Sequence, residues 1–165
     1  SHALRADPLS FSNAIQAACS EFGAFHTMIG HSQGANAVLH ASVKGVVSSR
    51  IVLLAPLVSV ESHLRRACAL VKLSAEGTEL FLRKITELVG VPPSDFEGHV
   101  MGSTLNMRTL IVHDCRDKEV PISEAETLAN EMSLARLHIS DGLGHRRLLA
   151  DLDTVNQVVS LMNET

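Results

Sequence analysis

The sequence has no tryptophan and no tyrosine, and phenylalanine occurs only five times. Single-stranded nucleic acid is usually held on aromatic stacking platforms. The net charge of −4 offers no basic footprint for a phosphate backbone. Nucleic acid is therefore not an expected partner. Cysteine is scarce too: Cys19, Cys68 and Cys115 are too few, odd in number and too widely spaced for a disulfide framework or a zinc site. Free thiols in a reducing, cytoplasmic compartment are the expectation. No apolar run approaches the roughly 20 residues of a membrane span. The N-terminus carries His2, Arg5 and Asp7 where a signal peptide needs an apolar stretch, so neither membrane association nor secretion is expected.

What the chain does hold is aliphatic. Hydrophobic residues make up 45% of its 165 residues and charged residues 19%, the balance of an ordinary globular protein. That length favours a single domain over 1–165, with a core of Leu, Val, Ile, Ala and Met. Helical spacing of apolar residues covers 10–22 and 33–44, with Gly23 as a stop signal after the first. Residues 25–30 form a short strand-like run ending in glycine. Runs 50–56 and 109–114 are continuously apolar, as strands buried on both faces are. A fourth strand is expected over 135–140, followed by helix over 153–163. Ser123 with Glu126 suggests a capping box opening a helix to 132. Strands alternating with helices predict an α/β fold, with a parallel sheet of about four strands flanked by helices.

Residues 57–104 break the alternation. Two amphipathic helices (61–72 and 76–89) and a second capping box, Ser94 with Glu97, lie between the second and third strands. This is either a helical cap over one end of the sheet or a hairpin that only covers the core. Leu57, Val58, Leu64, Leu73, Phe81 and Phe96 read as the buried face of those helices rather than as a ligand pocket.

The sharpest local signal is Gly30-His31-Ser32-Gln33-Gly34, a G-x-S-x-G pattern with a strand before it and a helix after it. Such a turn holds Ser32 in a strained conformation with its hydroxyl exposed. Gly30 and Gly34 are expected because side chains there would collide where strand and helix pass closely. The Gln33 N–H, at the start of the helix, is free to stabilise a developing oxyanion. Serine needs a base. Among nine histidines, His145 lies in a loop directly after the fourth strand, and functional groups of parallel sheets gather beyond the strand ends. His31 adjoins the serine and should point elsewhere, and His113 and His138 read as ordinary strand residues. An acid is needed to orient the imidazole. Asp117, beyond the end of the third strand, is favoured over Asp114, which reads as a turn cap, and over Glu119, which reads as solvated.

In this order, Ser32, Asp117 and His145 resemble the triad of the α/β-hydrolase superfamily. GHSQG is similar to its nucleophile elbow, HDCRDKEVP (113–121) to its acid loop, and GLGHRRLL (142–149) to its histidine loop. The resemblance runs from about residue 10 to the end, and the helical segment falls where that family inserts a cap. It implies a serine hydrolase acting on a small-molecule ester, thioester or amide, with no metal and no cofactor. It also implies missing parts, because the family usually has eight strands and its elbow follows the fifth. Only 29 residues precede Gly30 here, so the chain is expected to correspond to the C-terminal, triad-bearing portion. The strand at 25–30 then becomes an open edge, expected to be covered by the N-terminal helix, a second copy of the chain or a partner segment. The competing functions are an assembly-dependent or non-catalytic fragment, and an acyltransferase or lyase on the same scaffold.

Overall fold

In the computed structural model, residues 6–164 are described. His2 and Arg5 lie outside that range. Helix α1 (Pro8–Phe22) begins at Asp7, whose carboxylate accepts the Ser10 N–H, and ends at Gly23 with φ 84°. There follow β1 (Phe25–His31), α2 (Gln33–Val43), β2 (Ser48–Leu54), α3 (Val60–Leu70), α4 (Ala75–Val89), a 3-10 turn at Pro93–Phe96, and α5 (Gly98–Ser103). Then come β3 (Arg108–Asp114), α6 (Ile122–Glu131), β4 (Ala135–Ser140), α7 (Gly144–Arg147) and α8 (Leu152–Asn163).

The four strands lie side by side in sequence order and all pairs are parallel. The fold is α/β, with helices on both faces of the sheet. Strand alternation divides the core between those faces. Ile51, Leu53 and Ile111 pack with Leu39 of α2 and Leu128 of α6. Val52, Leu54, Leu110 and Val112 pack with Leu148 and with Leu161 of α8. Both faces of β2 and β3 are thus apolar, which is why they read as unbroken hydrophobic runs.

Among the described residues β1, the strand that leads into Ser32, is an edge. On β1, Ile29 lies in register with Val52 and is 50% exposed. Helix α1 packs on α2, and its Ala14, Ile15 and Ala18 border a groove along Phe25, Met28 and Ile29. Among the described residues β1 pairs with no strand but β2.

The insertion between β2 and β3 is helical, as expected, but neither capping box forms. Helix α6 starts at Ile122 after Pro121, without a side-chain cap. Ser123 therefore lies inside the helix and does not cap it, while its neighbour Glu124 accepts the Val58 and Ser59 N–H groups and pairs with Arg66. Glu97 likewise turns to the Ser59 hydroxyl, and a 3-10 turn replaces the expected helix start at Ser94. The side-chain caps of the insertion are Ser59 on α3 and Ser74 on α4. Asn36 of α2, fully buried, fastens both stalks of the insertion: its Nδ2 donates to the carbonyls of Leu57, Val58 and Phe96 at 3.2, 3.3 and 2.8 Å. Cys19, Cys68 and Cys115 are unpaired. Among the described residues no helix is long and apolar enough to cross a membrane.

Candidate active site

Ser32 joins β1 to α2 with φ 54° and ψ −120°. An L-residue rarely adopts this backbone region, and holding one there costs about 1–3 kcal/mol. Three backbone hydrogen bonds hold it. Its N–H donates to Leu54 O at 2.9 Å, and its carbonyl accepts the Ala35 and Leu57 N–H groups at 3.0 and 3.2 Å. Gly30 makes the turn sterically possible: a Cβ there would stand 2.6 Å from Ala35 Cα and from the Gly34 oxygen. Gly34 is different. A Cβ at Gly34 would meet nothing within 4 Å among the described residues, so the collision expected there is not what calls for glycine. Gln33 is the first residue of α2. A helix leaves its first N–H groups unpaired, and the Gln33 N–H finds no backbone acceptor. The positive end of α2 therefore opens next to Ser32.

Beyond the ends of β3 and β4, Asp117 and His145 meet. His145 Nδ1 lies 2.7 Å from Asp117 Oδ2, and their side chains are 6% and 0% exposed. The other oxygen of Asp117 accepts the Glu119 and Val120 N–H groups at 2.8 and 3.0 Å, which fixes the carboxylate's orientation. Asp114, also buried, turns away from the imidazole. It accepts the Arg116 and Leu143 N–H groups and the Ser140 hydroxyl at 2.9, 2.8 and 2.9 Å. Burial opposes its charge, but these donors and the Gly144 N–H outweigh it and hold the carboxyl down at about 2. Asp114 thus ties the acid loop to the histidine loop, where Gly142 and Gly144 supply the positive φ values of the turn. Glu119 faces Arg146 at the surface. Of the three acids, only Asp117 reaches His145.

Two histidines have more to do than their sequence positions suggest. His31 points toward the histidine loop: its Nε2 donates to His145 O at 2.9 Å, and the two rings are 4.8 Å apart, tilted by 47°. His113 is completely buried behind the acid. Its Nε2 donates to Val120 O at 3.0 Å and lies 3.5 Å from Asp117 Oδ2, while its Nδ1 has no partner. The available signal for His113 was an imidazole inside an otherwise apolar strand that leads directly to the acid loop. Among the described residues, the Ser32 hydroxyl and His145 Nε2 make no hydrogen bond.

No protein-family profile matches the chain, and no curated protein matches it in sequence. Solved structures do match. An esterase from Exiguobacterium antarcticum superposes with a TM-score of 0.69 at 14% identity, over 96% of this chain and 74% of its own. A monoacylglycerol lipase from Paleococcus ferrophilus gives 0.69 at 14%, over 97% and 77%. A bromoperoxidase from Bacillus anthracis gives 0.66 at 14%, over 98% and 76%. Identities this low speak to architecture alone, and the architecture these proteins have in common with this chain, parallel strands with a helical insertion, is the α/β-hydrolase fold.

Proposed function

We propose that the chain is a serine hydrolase that cleaves a small-molecule ester, thioester or amide through an acyl-enzyme on Ser32. The observation that carries this reading is the buried 2.7 Å contact between His145 and Asp117, at the same end of the sheet as the strained serine. The Ser32 hydroxyl attacks the substrate carbonyl while His145 Nε2 takes its proton. The same nitrogen then protonates the leaving alcohol, thiol or amine. Water, activated by His145, attacks the acyl-enzyme, releases the acid and restores Ser32. Asp117 holds the Nδ1 proton and stabilises the imidazolium. The Gln33 N–H donates to the oxyanion, a contribution that, when removed in a well-studied protease, costs about 100- to 1,000-fold in turnover. No metal or cofactor has a role in this scheme.

A second reading is favoured by the unpaired edge of β1. In it, the chain acts only when a second copy or a partner segment pairs along residues 25–30. A fluorophosphonate probe separates the two. Labelling of Ser32, located by mass spectrometry and lost in Ser32→Ala and His145→Ala, supports the hydrolase. A folded chain whose Ser32 stays unlabelled overturns it in favour of the assembly-dependent reading. Adding an acceptor alcohol to turnover assays then distinguishes hydrolysis from acyl transfer.

A further inference from the structure

The insertion between β2 and β3 borders a half-open cavity of about 350 Å³ against the start of α2 and against Ala6, Asp7 and Pro8. Gln33, the residue after the serine, lines it on one side. Val60 and Leu64 of α3, Ile85 and Leu88 of α4, and Phe96 line the other. Two of the six residues first read as packing, Leu64 and Phe96, thus face this space, whereas Leu57 and Val58 are in the core and Leu73 and Phe81 face solvent. No cationic side chain lines the cavity among the described residues. Its one charged group is Asp7, whose carboxylate already accepts from the Ser10 N–H and hydroxyl.

The side where His145 lies has the opposite character. There a cleft of about 440 Å³ is lined by Arg116, Lys118, Glu119, Arg147 and His145. In acyl transfer from an ester, the leaving group must reach the imidazole, and the acyl carbonyl must reach the N–H of Gln33. With Gln33 in the wall of the apolar cavity and His145 in that of the polar cleft, the cavity suits the acyl side of a scissile bond and the cleft its leaving group.

We infer that the cavity under the insertion binds an uncharged, unbranched acyl chain of medium length, so that the substrates of Ser32 are aliphatic acyl esters with a polar leaving group. This inference rests on the serine-hydrolase reading for its chemistry, though not for its binding site. Attack by the Ser32 oxygen on the acyl carbon forms the acyl-enzyme ester and expels the alcohol, which takes the proton held by His145. Hydrolysis of that ester returns the free acid and Ser32. A cavity of this size lies at the lower end of small-molecule sites. Taking a methylene as about the volume of a water molecule, roughly 30 Å³, it holds about ten carbons at most. Each methylene drawn from water into it should raise kcat/KM by about fourfold until the cavity is full.

The test has a catalytic arm and a binding arm. The catalytic arm measures kcat/KM for p-nitrophenyl esters from acetyl to palmitoyl. A rise to a maximum between hexanoyl and decanoyl is expected, falling for palmitoyl. Ile85→Trp and, separately, Val60→Phe should move that maximum to shorter chains, cutting kcat/KM for the decanoyl ester at least tenfold more than for the acetyl ester. The binding arm titrates octanamide into Ser32→Ala by calorimetry, where no turnover is needed. Octanamide should bind, more tightly than acetamide and more tightly than octanoate, and Ile85→Trp in that background should weaken it at least tenfold. Labelled Ser32 with a flat chain-length profile, or no octanamide binding, overturns the acyl-pocket inference and leaves the hydrolase standing. Unlabelled Ser32 with octanamide bound overturns the hydrolase and supports the cavity as an aliphatic-chain site.

Discussion

Replacing Gly30 by alanine isolates the steric argument for the serine turn, and replacing Gly34 provides its control. The added Cβ at residue 30 would lie 2.6 Å from Ala35 Cα, 2.6 Å from the Gly34 oxygen and 2.7 Å from the Ala35 nitrogen. Comfortable carbon contacts begin near 3.5 Å, so strand and helix must part by roughly 1 Å. All three obstacles are backbone atoms, so no rotamer change relieves them. The turn is also tied to Leu54 and Leu57 through Ser32, which resists that shift. Overpacking of this kind costs about 1–3 kcal/mol and sometimes more. With no side chain able to yield, about 3 kcal/mol is expected, a fall in Tm of roughly 6–12 °C for a chain of this size. Displacing the nucleophile by about 1 Å should slow the Ser32 reaction about 100-fold. Gly34→Ala places its methyl in open space and should leave Tm unchanged, or raise it slightly through helix propensity. The sequence lacks tryptophan and tyrosine, so unfolding is best followed by far-ultraviolet circular dichroism, with fluorophosphonate labelling rates alongside. A Gly30→Ala protein with the wild-type Tm and labelling rate would refute the reasoning, as would a Gly34→Ala protein damaged to the same degree.

Two further outcomes are expected. Asp114 has its carboxyl held at about 2 against an ordinary value of 3.8, so its stabilising contribution is complete above pH 4 and is lost as the pH falls toward 2. At about 1.4 kcal/mol per pKa unit that contribution is at most about 2 kcal/mol, less where solvent screens the loop. Asp114→Asn should therefore lower stability at pH 7 and weaken the acid dependence in that window, as acid titration of Tm will check. Asn36→Leu removes the donor shared by the carbonyls of Leu57, Val58 and Phe96. It should cost about 1–3 kcal/mol, and limited proteolysis should cut within 57–104 faster; an unchanged cleavage rate there would count against Asn36 as the fastening point.

The strands were legible because a sheet covered on both faces writes itself as continuous apolar runs, and 135–140 coincides with β4. The run at 50–56 illustrates the limit of that signal. The strand ends at Leu54, where Ala55 takes φ 42°. Hydrophobicity continues through Val58 because those residues are buried at the base of the insertion. An apolar run therefore reports burial rather than pairing. The capping boxes misled for a related reason. Ser-x-x-Glu spacing records a local possibility, but α6 begins one residue before Ser123, behind Pro121, and Glu97 turns to the Ser59 hydroxyl at the base of the insertion. Position relative to strand ends was enough to separate Asp117 from Asp114. The bracing of His145 by His31, and the burial of His113 behind the acid, depend on contacts across residues that no local pattern records.

The strand order also sets a timetable for synthesis. Because the sheet grows in sequence order, the bonds that lock Ser32, to Ala35, Leu54 and Leu57, all come from residues made well before His145. Its imidazole, His145, is added 88 residues after Leu57, a delay of several seconds at about 5–20 residues per second. Translation thus separates the making of the residues that close the Ser32 turn from the arrival of the imidazole of His145.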